Sequence, residues 1–87
     1  MEPLVLPSWF KQRQGKTEPA GDNSYKLTAP QQAEAFIRIR PGGEGRWSAA
    51  VSPTANGPDV AATAAEFRMP GEAWAAAFEL YRRQFIV

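Results

Sequence analysis

The clearest pattern of apolar and polar positions lies at the C-terminal end of the chain. Trp74, Ala77, Phe78, Tyr81 and Phe85 recur at i, i+3, i+4, i+7 and i+11, the period of an amphipathic helix. Ala73, Ala76 and Leu80 widen that stripe, and Glu72, Ala75, Glu79, Arg82 and Arg83 occupy the other side. Pro70 suits a first helical turn, and Glu72 complements the positive end of the helix dipole. The pattern predicts a helix from Pro70 onward, with Glu79 and Arg83 as an i,i+4 pair in the favoured order. Phe85-Ile86-Val87 is apolar and is expected to dock.

Upstream the period changes to two. In Ala35-Phe36-Ile37-Arg38-Ile39-Arg40, Ala35, Ile37 and Ile39 share one face, and Phe36, Arg38 and Arg40 share the other. Pro41-Gly42-Gly43-Glu44-Gly45 must then turn the chain. Arg46 to Val51 reads as the returning strand, with Trp47, Ala49 and Val51 inward. Asn56-Gly57-Pro58 marks another turn. Asp59 to Phe67 is alanine-rich, but its position between a hairpin and a helix start predicts a third strand. Tyr25-Lys26-Leu27-Thr28 alternates and offers a fourth.

The N-terminal part has no such regularity. Residues 11–24 contain no large apolar residue, so they offer little burial to offset their ordering entropy and are expected to form a mobile loop. The preceding Leu4-Val5-Leu6-Pro7-Ser8-Trp9-Phe10 is strongly apolar. It either packs across the open sheet face, as an edge strand or otherwise, or serves as an arm for a second copy or another protein, which makes Leu4, Leu6, Trp9 and Phe10 candidate partner contacts.

The expected fold class is therefore α+β: a three-stranded antiparallel sheet, four-stranded if Tyr25–Thr28 joins, packed on one C-terminal helix in ββ(β)α order. Residues 1–24 form an irregular arm and loop, and 25–87 a single domain. The expected core is Ile37, Ile39, Trp47, Val51, Phe67, Trp74, Ala77, Phe78 and Tyr81.

Composition narrows the chemistry more than it suggests any. The 87 residues include no Cys and no His, which removes disulfides, thiol and imidazole catalysis, and zinc sites built on those ligands. Net charge is +1, so no strong field acts on a partner. The acids are scattered, without the paired spacing needed for carboxylate catalysis or an oxygen-ligand metal site. Gly43-Glu44-Gly45-Arg46-Trp47-Ser48 lacks the third glycine of a dinucleotide loop. No catalytic residue, cofactor or metal is expected. The acidic start Met1-Glu2-Pro3 and the short apolar run after it do not read as a signal peptide. No stretch is long enough to cross a membrane, and a cytoplasmic location is expected by default.

Two surfaces remain. The outward Phe36, Arg38 and Arg40, with Arg46 beside them, are candidate nucleic-acid contacts, since arginines meet phosphates and an exposed aromatic stacks on bases. The strand–strand–strand–helix order is similar to that of tyrosine-recombinase arm-binding domains and plant ethylene-response DNA-binding domains, although the motifs of neither family occur here. Against this, net charge is low and Glu44, in the turn joining the two arginine strands, should blunt their field; whether Glu34, Glu44 and Glu66 together neutralise the arginines or leave one continuous patch separates the two readings. The leading expectation is a small non-enzymatic protein-interaction module, self-association included, with weak nucleic-acid binding through the outer sheet face as the alternative.

Overall fold

The computed structural model describes residues 6–21, 23–30, 33–54 and 57–86; Leu4 and Asn56, singled out above, lie outside them. The two arginine-flanked strands form as the alternation requires. β3 (Ala35–Pro41) and β4 (Trp47–Ser52) make an antiparallel hairpin with Ile37 opposite Val51 and Arg38 opposite Ala50. Its tip is a 3-10 turn at Gly43–Gly45, in which Glu44 (φ 61°) and Gly45 (φ 71°) are left-handed.

Five strands form, not three or four. β1 (Lys16–Gly21), β2 (Ser24–Thr28), β3, β4 and β5 (Ala61–Ala62) pair in sequence order as one antiparallel meander. The fourth strand, at Tyr25–Thr28, is β2. The fifth arises from the segment expected to be a loop: residues 11–24 hold the end of a short helix, a turn and the whole of β1. Composition missed β1 because most of its residues are exposed. An edge strand is held by its ladder to β2 and need not bury side chains of its own.

The strand expected over 59–67 is only partly regular. Val60 N–H donates to the Val51 carbonyl, Thr63 N–H to Ala49, and Trp47 and Phe67 exchange both bonds. The segment thus follows β4 along its length, but four residues of it span two of β4, so Ala64, Ala65 and Glu66 bulge out. The Thr63 hydroxyl accepts the Ala49 N–H at 3.0 Å, a ladder bond that the bulge leaves without a backbone acceptor.

α2 (Pro70–Tyr81) starts at the proline, with Met69 as an uncapped N-cap and Glu72 in the first turn. It lies across β3 and β4. Ala73, Ala77 and Tyr81, spaced four apart, are fully buried together with Phe78; the two alanines let the helix approach the sheet closely. Trp74 is only half-buried, and its ring meets Tyr25 edge-on at 5.1 Å. The core therefore differs from expectation at its margins. Trp47, Phe67 and Trp74 are partly exposed, while Phe10, Leu27, Ala35 and Ala49 join Ile37, Val51, Ala77, Phe78 and Tyr81 inside. Beyond Tyr81 the helix widens into a π-turn over Arg82–Ile86. Phe85 then stacks on Tyr81 at 5.7 Å, and Glu79 pairs with Arg82 at 2.9 Å in place of the expected Arg83.

The described part of the apolar arm, from Leu6 to Phe10, folds onto its own domain and sets a helix against α2, not across the open sheet face or as an edge strand. α1 (Ser8–Gln12) places Phe10, fully buried, 5.3 Å from Phe78 and 5.9 Å from Tyr81. Trp9 stacks on Tyr81 at 6.2 Å. The helix closes with a Schellman turn: Gly15 N–H donates to the Phe10 carbonyl at 2.9 Å, and Gln14 N–H to Lys11 at 3.0 Å. The left-handed position of that turn holds Gln14 (φ 59°) rather than glycine. Gly15 follows because a Cβ there would fall on the Phe10 ring.

Hydrogen-bond parity fixes which groups β1 presents to solvent. Ile39 N–H donates to the Asn23 carbonyl at 3.0 Å, so Asn23, Tyr25 and Leu27 direct their backbone groups to β3, and Ser24, Lys26 and Thr28 direct theirs to β1. Lys16 opposes Thr28 and Glu18 opposes Lys26, so these two β1 residues bond inward. Thr17 and Pro19 face the open edge. Pro19 thus costs the ladder nothing and removes a donor where an intruding strand would want one.

Candidate functional site: the open face of the sheet

α2 covers one face of the sheet. On the other, strand pairing sets out rows of side chains: Glu18, Lys26, Phe36 and Ser52 in one, Ser24, Arg38, Ala50 and Ala62 in the next, then Arg40 and Ser48. Phe36, Arg38 and Arg40 project from this face, as the alternation of β3 demands. Phe36 is half-buried, and Arg46 sits half-buried at the foot of the hairpin turn.

The arginines are not a bare cationic patch. The loop after β4 returns across their end of the sheet and brings Asp59 over them. Asp59 Oδ2 accepts from Arg40 Nη1 at 2.9 Å, and Asp59 Oδ1 lies 3.7 Å from Arg38 Nη1. Arg38 Nη2 donates to Ser52 Oγ at 2.9 Å, and that hydroxyl donates to the Thr54 carbonyl at 2.8 Å. Ser52 is thereby fully buried with its hydroxyl used as both acceptor and donor. Side-chain exposure is 16% for Arg38, 19% for Asp59 and 51% for Arg40, so Arg40 is the member of the cluster that still meets water. Lys26 pairs with Glu34 at 3.2 Å and stands opposite Glu18 on β1.

Glu34 pairs with Lys26 and not with the arginines of the face. The carboxylate over the arginines belongs to Asp59, which its position in the sequence assigns to the scattered acids and to the start of a third strand rather than to the arginine face. The turn signal that Asn56-Gly57-Pro58 carries in the sequence was the available one, since Asp59 follows it directly. Ser52 carried no signal: its role depends on being opposite Phe36 and one row from Arg38.

Of the arm residues, Leu6 and Trp9 pack against the core from its margin and Phe10 lies within it. They form one cluster with the end of α2, separate from the open sheet face. Val60 and Met69 are large apolar side chains that remain about half exposed. Among the described residues no three His, Cys, Asp or Glu side chains come together as a metal would need, and no helix is long and apolar enough to cross a membrane. Comparison of the chain with protein families, with curated proteins and with solved structures finds no match.

Proposed function

We propose that this chain is a small non-enzymatic protein-interaction module that uses the open face of its sheet. The observation that carries the reading is the clamp of Asp59 on Arg38 and Arg40. It holds two strand-borne arginines against one carboxylate, so that an ordered cluster with a single residual positive charge, rather than two free phosphate ligands, stands beside Phe36. A partly apolar face with its charges already paired suits a protein surface better than a polyanion. The absence of Cys accords with a cytoplasmic setting.

Nucleic acid is the second reading. It rests on Arg40, half exposed, with Arg46 and Phe36 on or beside the same face. One experiment separates the two. Amide shifts are followed while short DNA and RNA oligonucleotides are added at low salt, to wild type and to Asp59→Asn. The protein-contact reading expects no localised shifts on β3 and β4 in wild type. Removal of the clamp should create weak binding through the exposed Arg40, with a log–log salt slope of about −1, because Arg38 keeps its bond to Ser52. Saturable shifts at Phe36, Arg38 and Arg40 in wild type, weakened by Phe36→Ala more for single strands than for duplex, overturn the protein-contact reading. A pull-down from the native host supports it if a protein is retained regardless of nuclease and lost with Phe36→Ala.

A further inference from the structure

We propose that α1 is an exchangeable arm. Its seat on the end of α2 accepts the α1 of a second copy, and the same opening joins the two sheets edge to edge through β1. The inference concerns a different surface from the open sheet face and stands or falls separately from it.

Three observations meet at residues 13–19. The first is the hinge. Only Arg13, Gln14 and Gly15 connect α1 to β1, and Gln14 is left-handed, a conformation disfavoured for a side chain with a Cβ. Straightening this turn releases that strain, and short strained hinges favour exchange over self-closure. The second is the plug. Phe10 is fully buried against Phe78 and Tyr81 while Trp9 stacks on Tyr81. An undocked arm would expose these aromatics, so an opened chain gains by inserting its arm into another copy. The contacts there are the same ones, made between chains.

The third is the edge. In the closed chain, Gly15 N–H is held by the Phe10 carbonyl and Pro19 has none. Thr17 is then the donor left among Gly15, Thr17 and Pro19, the residues whose backbone groups point away from β2. Opening the hinge frees Gly15 N–H. Two β1 strands related by a two-fold axis through Thr17 then place Thr17 opposite Thr17 and Gly15 opposite Pro19. Each Thr17 N–H meets the other Thr17 carbonyl, and each Gly15 N–H meets a Pro19 carbonyl. The missing proline donor falls where a Gly15 carbonyl would otherwise receive it. The closed arm therefore keeps the edge blunt, and the open arm completes it. The partner is a second copy because both the plug and the edge are self-complementary.

The test compares wild type, Gln14→Pro and Gln14→Gly, each refolded from urea at high concentration and sized by light scattering. Proline cannot adopt φ 59° and forces the hinge open. Glycine removes the strain that favours opening. The expected order of dimer fraction is Gln14→Pro above wild type above Gln14→Gly, with about a fivefold or larger change in dimerisation constant at each step. In the dimer, the Thr17 amide should be protected from hydrogen exchange; in the monomer it should exchange freely. A folded, monomeric Gln14→Pro overturns the proposal. If that variant does not fold, wild type and Gln14→Gly decide: equal dimer fractions, or no dimer in either, overturn it. A dimer whose Thr17 amide exchanges freely also overturns it.

Discussion

The turn that closes α1 makes opposite demands on two neighbouring residues, and substitution there tests how the N-terminal arm is held. At Gly15 the demand is for space. The missing Cβ would lie on the Phe10 ring, and that ring cannot retreat because Phe78 and Tyr81 pack behind it. Gly15→Ala must either overpack the site, at about 1–3 kcal/mol, or detach Phe10 and lose its burial, about 2–3 kcal/mol. The cheaper route sets the cost, so the destabilisation is about 1–3 kcal/mol. At Gln14 the demand is for a positive φ. A left-handed non-glycine residue costs about 1–2 kcal/mol, and glycine returns about 0.5–1 kcal/mol of that as unfolded-chain entropy. Gln14→Gly should therefore stabilise the closed monomer by about 0.5–1 kcal/mol. For a chain of this size 1 kcal/mol corresponds to about 4–8 °C in Tm. Thermal and urea unfolding of dilute monomer, followed by circular dichroism, should show Gly15→Ala melting well below wild type and Gln14→Gly a few degrees above. Phe10→Leu in the Gly15→Ala background should recover part of the loss, because the smaller side chain clears the new methyl. If Gly15→Ala melts with wild type, Phe10 is not seated beneath the turn and the account of the arm fails.

Five further outcomes follow from the packing. Tyr81 is buried with no hydrogen-bond partner for its hydroxyl among the described residues, so Tyr81→Phe should stabilise by about 1 kcal/mol, and equal or lower stability in urea would refute this. Burial raises the Tyr81 pKa above 10, with Arg13 opposing; a phenol whose folded pKa is raised stabilises the fold fully below its unfolded pKa of about 10, so stability should fall as pH rises beyond that value, more in wild type than in Tyr81→Phe. Asp59→Asn should cost about 1–2 kcal/mol, between an exposed and a buried ion pair, and a neutral result in denaturant titration would mean the clamp holds nothing. Trp74→Ala should cost about 3 kcal/mol, the lower end for a large aromatic because the ring is half-exposed, and Lys16–Gly21 should show backbone order parameters nearer those of β2 than those of a free loop.

The elements legible in the chain were those whose own residues carry a period. The helix start at Pro70, the two faces of β3 and the hairpin to β4 are local properties, because one side of each element must be apolar and sequence spacing alone decides which. The absence of imidazole and thiol chemistry is likewise complete in the composition. What tertiary structure decided has partners distant in sequence. β1 is a strand because β2 supplies its hydrogen bonds, not because its residues prefer burial. Phe10 is core because Gly15 lets the chain turn over it. Tyr81 and Phe85 stack because the helix widens at its end. The arginines of the open face were visible as a pair, but their neutralisation was not: Asp59 reaches them only when the loop after β4 folds back, and attraction between charges depends on distance in space rather than along the chain.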